Sequence, residues 1–88
     1  MEAVRRIGDF AERLKAAKGG TRGLEDAADR LETAVRSALF DDLNAPEAMA
    51  ALFEFIRAAN KELDAGGTDV TALRRARDVF QMVDRVLD

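Results

Sequence analysis

Residues 44–67 read NAPEAMAALFEFIRAANKELDAGG, and this stretch decides the fold. Asn44 has a short polar side chain that can accept backbone N–H bonds at a helix start, and Glu47 stands three residues on, as in a capping box. Pro46 falls in the first turn, where its missing N–H breaks no intrahelical bond. Met49, Leu52, Phe53, Ile56 and Leu63 then recur at helical spacing, while Ala48, Ala51, Phe55 and Ala59 widen the stripe. Gly66 or Gly67 supplies a left-handed stop. A helix over 45–65 that is apolar on so much of its surface belongs at the centre of a bundle.

Working outward, glycines and a polar run punctuate the rest. Gly19, Gly20 and Gly23 make one break, Asp41-Asp42-Leu43-Asn44 a second and Gly66-Gly67 a third. The segments between them are rich in Ala, Leu, Arg and Glu, which favour helix. Val4, Ile7, Phe10, Ala11 and Leu14 share one side of a helix over 2–18, with Gly8 a place for close backbone approach. Leu24, Ala27, Ala28, Leu31, Val35, Ala38 and Leu39 do the same over 24–40. Val70, Leu73, Ala76, Val79, Phe80, Val83, Val86 and Leu87 do so over 69–88. No stretch alternates with period two. The expectation is an all-α, mostly antiparallel four-helix bundle occupying 1–88 as one domain, with Phe10, Leu31, Leu52, Phe53, Ile56, Leu73, Phe80 and Val83 in its core.

Composition removes whole classes of chemistry. The 88 residues include no Cys and no His, which excludes disulfides, thiolate nucleophiles, zinc-finger sites, catalytic histidine and haem ligation. Trp and Tyr are absent too, so base stacking would rest on five Phe. No apolar run approaches a membrane span and no apolar leader opens the chain, which predicts no membrane contact and a cytoplasmic protein. The 14 basic and 17 acidic residues leave a net charge of −3, against the basic excess of a dedicated nucleic-acid binder. Residues 1–23 alone carry six basic and three acidic groups, a weak basic patch or a solvated helix face.

Four places are candidates for chemistry. Asp41 and Asp42, beside Asn44 and Glu47, form the one tight carboxylate cluster, but the chain lacks an EF-hand loop to complete a cation site. The loop Gly19-Gly20-Thr21-Arg22-Gly23 lacks the Gly-Lys-Ser/Thr ending of a phosphate loop and reads as a flexible connection. Arg74, Arg75 and Arg77 are the densest basic group, with Asp78 placed to pair with Arg74. Together with Arg57 and Lys61, which Glu54 and Glu62 partly neutralise, they can meet either phosphates or neighbouring carboxylates. Asn60 lies in line with Met49, Phe53 and Ile56, as a buried amide that contacts a ligand or fixes helix register.

The stretch from Ser37 to Leu63 resembles the centre of the helical, DALR-type anticodon-binding domain of cysteinyl-tRNA synthetases, a class Ia family. In that family an acidic run leads into Asn-x-Pro-Glu-Ala and a helix with an Asn near its end. Here these are Asp41, Asp42, Asn44, Pro46, Glu47, Ala48, Leu52, Phe53 and Asn60. The opening RRIGDFAERLKAA and the closing LRRARDVFQMVDRVLD are similar to the first and last helices of the same bundle. Phe40 stands where the family often has a third acid, and Ala45 where it often has Thr.

The resemblance implies a domain cut from a longer enzyme, with Met1 an added start and a further segment following Asp88. That enzyme would use ATP and zinc, whereas the signatures that bind them are missing here and no cofactor is expected on these residues. The implied partners are tRNA(Cys) and the catalytic domain of the same chain, with the piece itself a monomer. Arg57, Lys61, Arg74 and Arg75 are the candidate tRNA contacts. The related ligase that joins cysteine to an amino-sugar in mycothiol synthesis has a similar terminal bundle. A free-standing helical interaction module, using exposed apolar residues such as Phe40 and Phe55, is the remaining alternative.

Overall fold

The computed structural model describes residues 2–41 and 43–87, with side chains described over 5–41 and 43–86. Four α-helices and no strand occur among the described residues: α1 (Glu2–Ala16), α2 (Arg22–Arg36), α3 (Ala45–Ala65) and α4 (Val70–Leu87). α2 continues into a wider π-helical turn over Ser37–Asp41, so the helix expected over 24–40 changes its winding near its end. α1 stops two residues before the expected Lys18. The chain alternates direction from helix to helix, as short connections require.

Packing order is not the order of the chain. α2 lies along both α3 and α4, and α1 packs on α3 and α4. Contacts fix the directions. Gly20 pairs with Asp69, and further along the same two elements Asp29 and Glu32 meet Arg75, so α2 and α4 run parallel side by side. Arg6 meets Phe53 and Arg13 meets Asn60, so α1 and α3 are parallel too. The antiparallel pairs are α2 with α3, α1 with α4 and α3 with α4.

Small residues let these helices approach. Leu24, Ala27, Ala28, Leu31, Val35 and Ala38 are buried on the α2 side, and Ala48, Leu52, Phe55, Ile56 and Ala59 on α3. Three rings close the far side. Phe10 meets Phe55 edge-on at 5.6 Å and Phe80 at 5.2 Å, with Phe55 and Phe80 stacked at 6.5 Å. Such contacts add to the area that each ring buries. One core expectation fails: Phe53 is only half-buried, and Phe55 takes the central place. Two residues apart on a helix, the rings project about 200° from each other, so one face excludes the other. With Phe55 buried, no patch joins it to Phe40, which is 70% exposed. Gly8 has no neighbour near the position of a Cβ, so the backbone approach expected there is absent.

The glycine-rich end is an ordered crossing of two loops, not a flexible link. Gly20 N–H donates to the Asp69 carbonyl at 3.0 Å and Asp69 N–H to the Gly20 carbonyl at 2.9 Å. A Cβ on Gly67 would run into that Gly20 carbonyl oxygen, so the crossing requires glycine. Gly66, at φ 74°, provides the left-handed end of α3. Thr21, whose capping role the sequence reading passed over, accepts from Leu24 N–H at 3.1 Å and donates its hydroxyl to Glu62 at 2.6 Å. Asp69 caps α4 by accepting from Ala72 N–H at 3.0 Å.

At the other end, Asn44 caps α3 as expected. Its Oδ1 accepts from Glu47 N–H at 3.0 Å, and its Nδ2 donates to the Glu47 carboxylate at 3.1 Å. Asn44→Ala should therefore lower stability by about 0.5–2 kcal/mol. Asn44→Asp keeps the acceptor but sets two carboxylates together, so in urea denaturation it should fall between wild type and Asn44→Ala. Equal midpoints for all three would show that the cap contributes nothing.

Candidate nucleic-acid interface

The basic residues singled out from sequence have different fates. Arg57 is exposed on α3, with Glu54 at 3.8 Å, one helical turn earlier, and both side chains more than 70% exposed. An ion pair so wet contributes little and yields readily to another anion. Lys61 is exposed and has no hydrogen-bond or ion-pair partner among the described residues, because Glu62 turns instead to Thr21. Arg74 is likewise exposed without a partner among the described residues, so the expected pair with Asp78 does not form.

Arg75 and Arg77 belong to the framework. Arg75 Nε donates to Asp29 at 3.0 Å and its Nη2 to Glu32 at 2.6 Å, clasping α4 to α2. Arg36 adds a second, longer contact to Glu32 at 3.4 Å. Arg77 Nε donates to the Leu14 carbonyl at 3.1 Å, and its Nη2 to those of Lys15 at 3.0 Å and Ala17 at 2.8 Å. These are carbonyls that the end of α1 leaves without helical partners. Arg75, a candidate RNA contact by sequence, has its donors turned inward to acids, and its neighbour Arg74 carries the outward charge.

The Arg75 hydrogen bond holds the Glu32 carboxyl below its usual value of 4.5, helped by the nearby charges of Arg75 and Arg36 and opposed by partial burial. The same contacts raise Arg75. A carboxyl depressed in the folded state stabilises it above the unfolded pKa, and that contribution is lost as pH falls through the folded value. Stability should thus decline on acidification below about pH 4.5, and Glu32→Gln should flatten part of that decline. Urea midpoints measured from about pH 6 to about pH 3 check this, and parallel curves for both proteins would remove Glu32 from the account.

The acidic motif splits. Asp41 is exposed at the end of the π-helical turn, and Asp42 lies outside the described residues. Pro46 and Glu47 sit in the first turn of α3. Among the described residues no three acidic side chains converge as a metal ion would need. Asn60 is not the buried amide expected. It is half-exposed on the α1 side of α3, where its Oδ1 accepts from Arg13 Nη1 at 3.1 Å, and Arg13 also pairs with Asp64. The α1–α3 seam so formed is a groove of about 290 Å³ lined by Arg5, Arg6, Asp9, Phe10, Arg13 and Asn60. Its arginines were visible beforehand only as the surplus basic charge of residues 1–23. No helix among the described residues is long and apolar enough to cross a membrane.

Residues 34–88 match the model of the DALR domain, from the end of α2 through α4. Over 74 residues the chain is 43% identical to the cysteine–tRNA ligase of Micrococcus luteus, which covers 83% of this chain and 15% of that protein. It is 35% identical over 82 residues to the cysteine–tRNA ligase of Leifsonia xyli subsp. xyli, covering 93% and 17%. The corresponding figures for the enzyme of Chlorobium luteolum are 40% over 78 residues, covering 88% and 16%. The chain therefore spans 15–17% of the length of these curated relatives. No solved structure matches it.

Proposed function

The chain belongs to the DALR domain family, and from that membership we propose that it is the RNA-supporting bundle of a cysteine–tRNA ligase, orienting tRNA(Cys) against a catalytic body elsewhere in a longer protein. The observation that carries this reading is the likeness to cysteine–tRNA ligases across 83–93% of these residues. Cysteine activation, with its ATP and zinc, belongs to that body, because these residues include no Cys or His to hold zinc. The bundle acts as a monomeric unit in the cytoplasm. Names of the relatives favour the tRNA ligase over the amino-sugar ligase. The burial of Phe55 counts against a docking module built on Phe40 and Phe55.

Arg57, Lys61 and Arg74 are the contacts this reading assigns to phosphate, since all three are exposed and none is committed to a buried partner. Arg75 supports them by holding α4 on α2. With a net charge of −3, affinity for RNA is modest and falls with salt. The test replaces Arg57, Lys61 and Arg74 by Gln in a cysteine–tRNA ligase carrying this domain. The tRNA KM should rise several-fold while ATP–pyrophosphate exchange with cysteine stays unchanged. Unchanged charging would take these residues off the RNA surface.

A further inference from the structure

We propose that the apex joining α2 to α3 is a protein-docking tip, and that its occupant is an apolar recess rimmed by Lys or Arg on the body of the same longer chain. This rests on the function proposed above and adds the face by which the bundle is held. Three of the four exposed large apolar side chains lie at this end: Phe40 at 70%, Leu43 at 86% and Val86 at 54%, with Val70 at the other. The π-helical turn over Ser37–Asp41 and a bond from Asn44 N–H to the Ala38 carbonyl at 2.7 Å hold the reversal. Ala38 is buried, and Phe40, two residues on, faces away from it into solvent.

Leu43 is the sharper case. Its φ of 51° is left-handed, a conformation that suits Gly or Asn and that a bulky side chain rarely adopts. Its side chain also buries almost nothing in the core. Backbone and solvent both disfavour leucine there, so the folding of these residues does not account for it. Contact with another surface does.

Geometry and charge select the occupant. α1 runs parallel to α3 and antiparallel to α4, so α1 begins and α4 ends beside the tip. Any neighbouring sequence joins the bundle there, and this chain spans 15–17% of its relatives' length. A tethered partner meets the tip at high effective concentration and needs little contact area. Separate molecules bury about 800 Å² apiece, more than three partly exposed side chains offer, which argues against a second copy. Residues 37–47 carry three acids and no base. Arg36, at the end of α2, is engaged with Glu32 at 3.4 Å, and Arg85 stands on the last turn of α4. Acids around apolar side chains fit a basic, apolar recess and repel phosphate, so neither RNA nor an anionic lipid surface suits this tip.

The experiment measures amide hydrogen exchange over residues 39–48 in the 88-residue chain and in a cysteine–tRNA ligase carrying it, without tRNA. Each is compared with Phe40→Gln/Leu43→Asn, and with Val70→Asn as a control at the opposite end. Exchange should be about tenfold slower in the longer protein, and the double variant should return it to the rate of the 88-residue chain while Val70→Asn leaves it slow. In the 88-residue chain the double variant should melt no lower than wild type, because Asn accepts the left-handed backbone and neither side chain is buried. Equal exchange in the two proteins, with tRNA charging intact, would overturn the docking tip and leave the tRNA reading standing. Slow exchange in a longer protein that charges no tRNA would keep the tip and remove that reading. Slowing that appears only on adding tRNA, or that grows with the concentration of the 88-residue chain, would give the tip to RNA or to a second copy and overturn the proposal. A lower melting temperature for the double variant in the 88-residue chain would assign Phe40 and Leu43 to the fold and overturn it as well.

Discussion

Phe55→Ala should lower the free energy of unfolding by about 3–5 kcal/mol, a large part of what a domain of this size possesses. Phe55 is 3% exposed and is one of three rings in mutual contact with Phe10 and Phe80, so its removal leaves a cavity that two large neighbours cannot jointly refill. Phe53→Ala, from the same helix and with the same chemistry, should cost only about 1 kcal/mol, because its ring is half-buried beneath Arg6. Urea denaturation followed by circular dichroism separates the two, since the chain has no Trp or Tyr for a fluorescence readout. Equal losses would place both rings in the core and contradict the packing of α1 against α3.

Arg77→Ala should cost about 1.5–3 kcal/mol, the range for hydrogen bonds made by charged donors. The side chain is partly buried, and it bonds three carbonyls at the end of α1 that no other side chain reaches among the described residues. Its loss strips that end of its partners and loosens the only charged link seen between α1 and α4. Arg77→Lys should recover little, because a single ammonium at the end of a flexible stem cannot span donors set in a planar fork. Thermal melts of the three proteins check this. A change below about 0.5 kcal/mol in Arg77→Ala would mean that water serves these carbonyls as well as the guanidinium does.

What was readable in advance was what is local. The cap at Asn44, Pro46 in the first turn and the left-handed stop at Gly66 act within four residues of themselves, so α3 came out over 45–65 as the structure has it. The apolar spacing of the other three segments likewise placed their helices to within a few residues. The absence of Cys and His was likewise plain from composition. The distinctive run from Asp41 to Asn60 pointed to the family that the comparison then matched over 34–88.

The candidate surface was less legible, and the arginines of α4 show why. Arg74, Arg75 and Arg77 are near neighbours in the chain with one charge and one chemistry. Yet one faces outward, one clasps residues 46 and 43 positions away, and one caps a helix 60 to 63 positions away. The spacing of Asn60 with Met49, Phe53 and Ile56 predicts burial, yet of that stripe only Ile56 is fully buried, while Phe53 and Asn60 lie at the edge where α1 meets α3.

Sequence by itself determined the number of helices, their ends to within a few residues, and the family, because caps, glycines and apolar spacing act through the backbone next to them. Tertiary structure alone decided which ring of α3 is central, which helices lie parallel, and which cations remain exposed. Each of those outcomes depends on what a distant segment brings to the same place. The Ala-rich face of α2 draws Ala48, Phe55 and Ala59 inward and turns Phe53 toward α1. Asp29, Glu32 and the open carbonyls of α1 consume two arginines and leave a third to solvent.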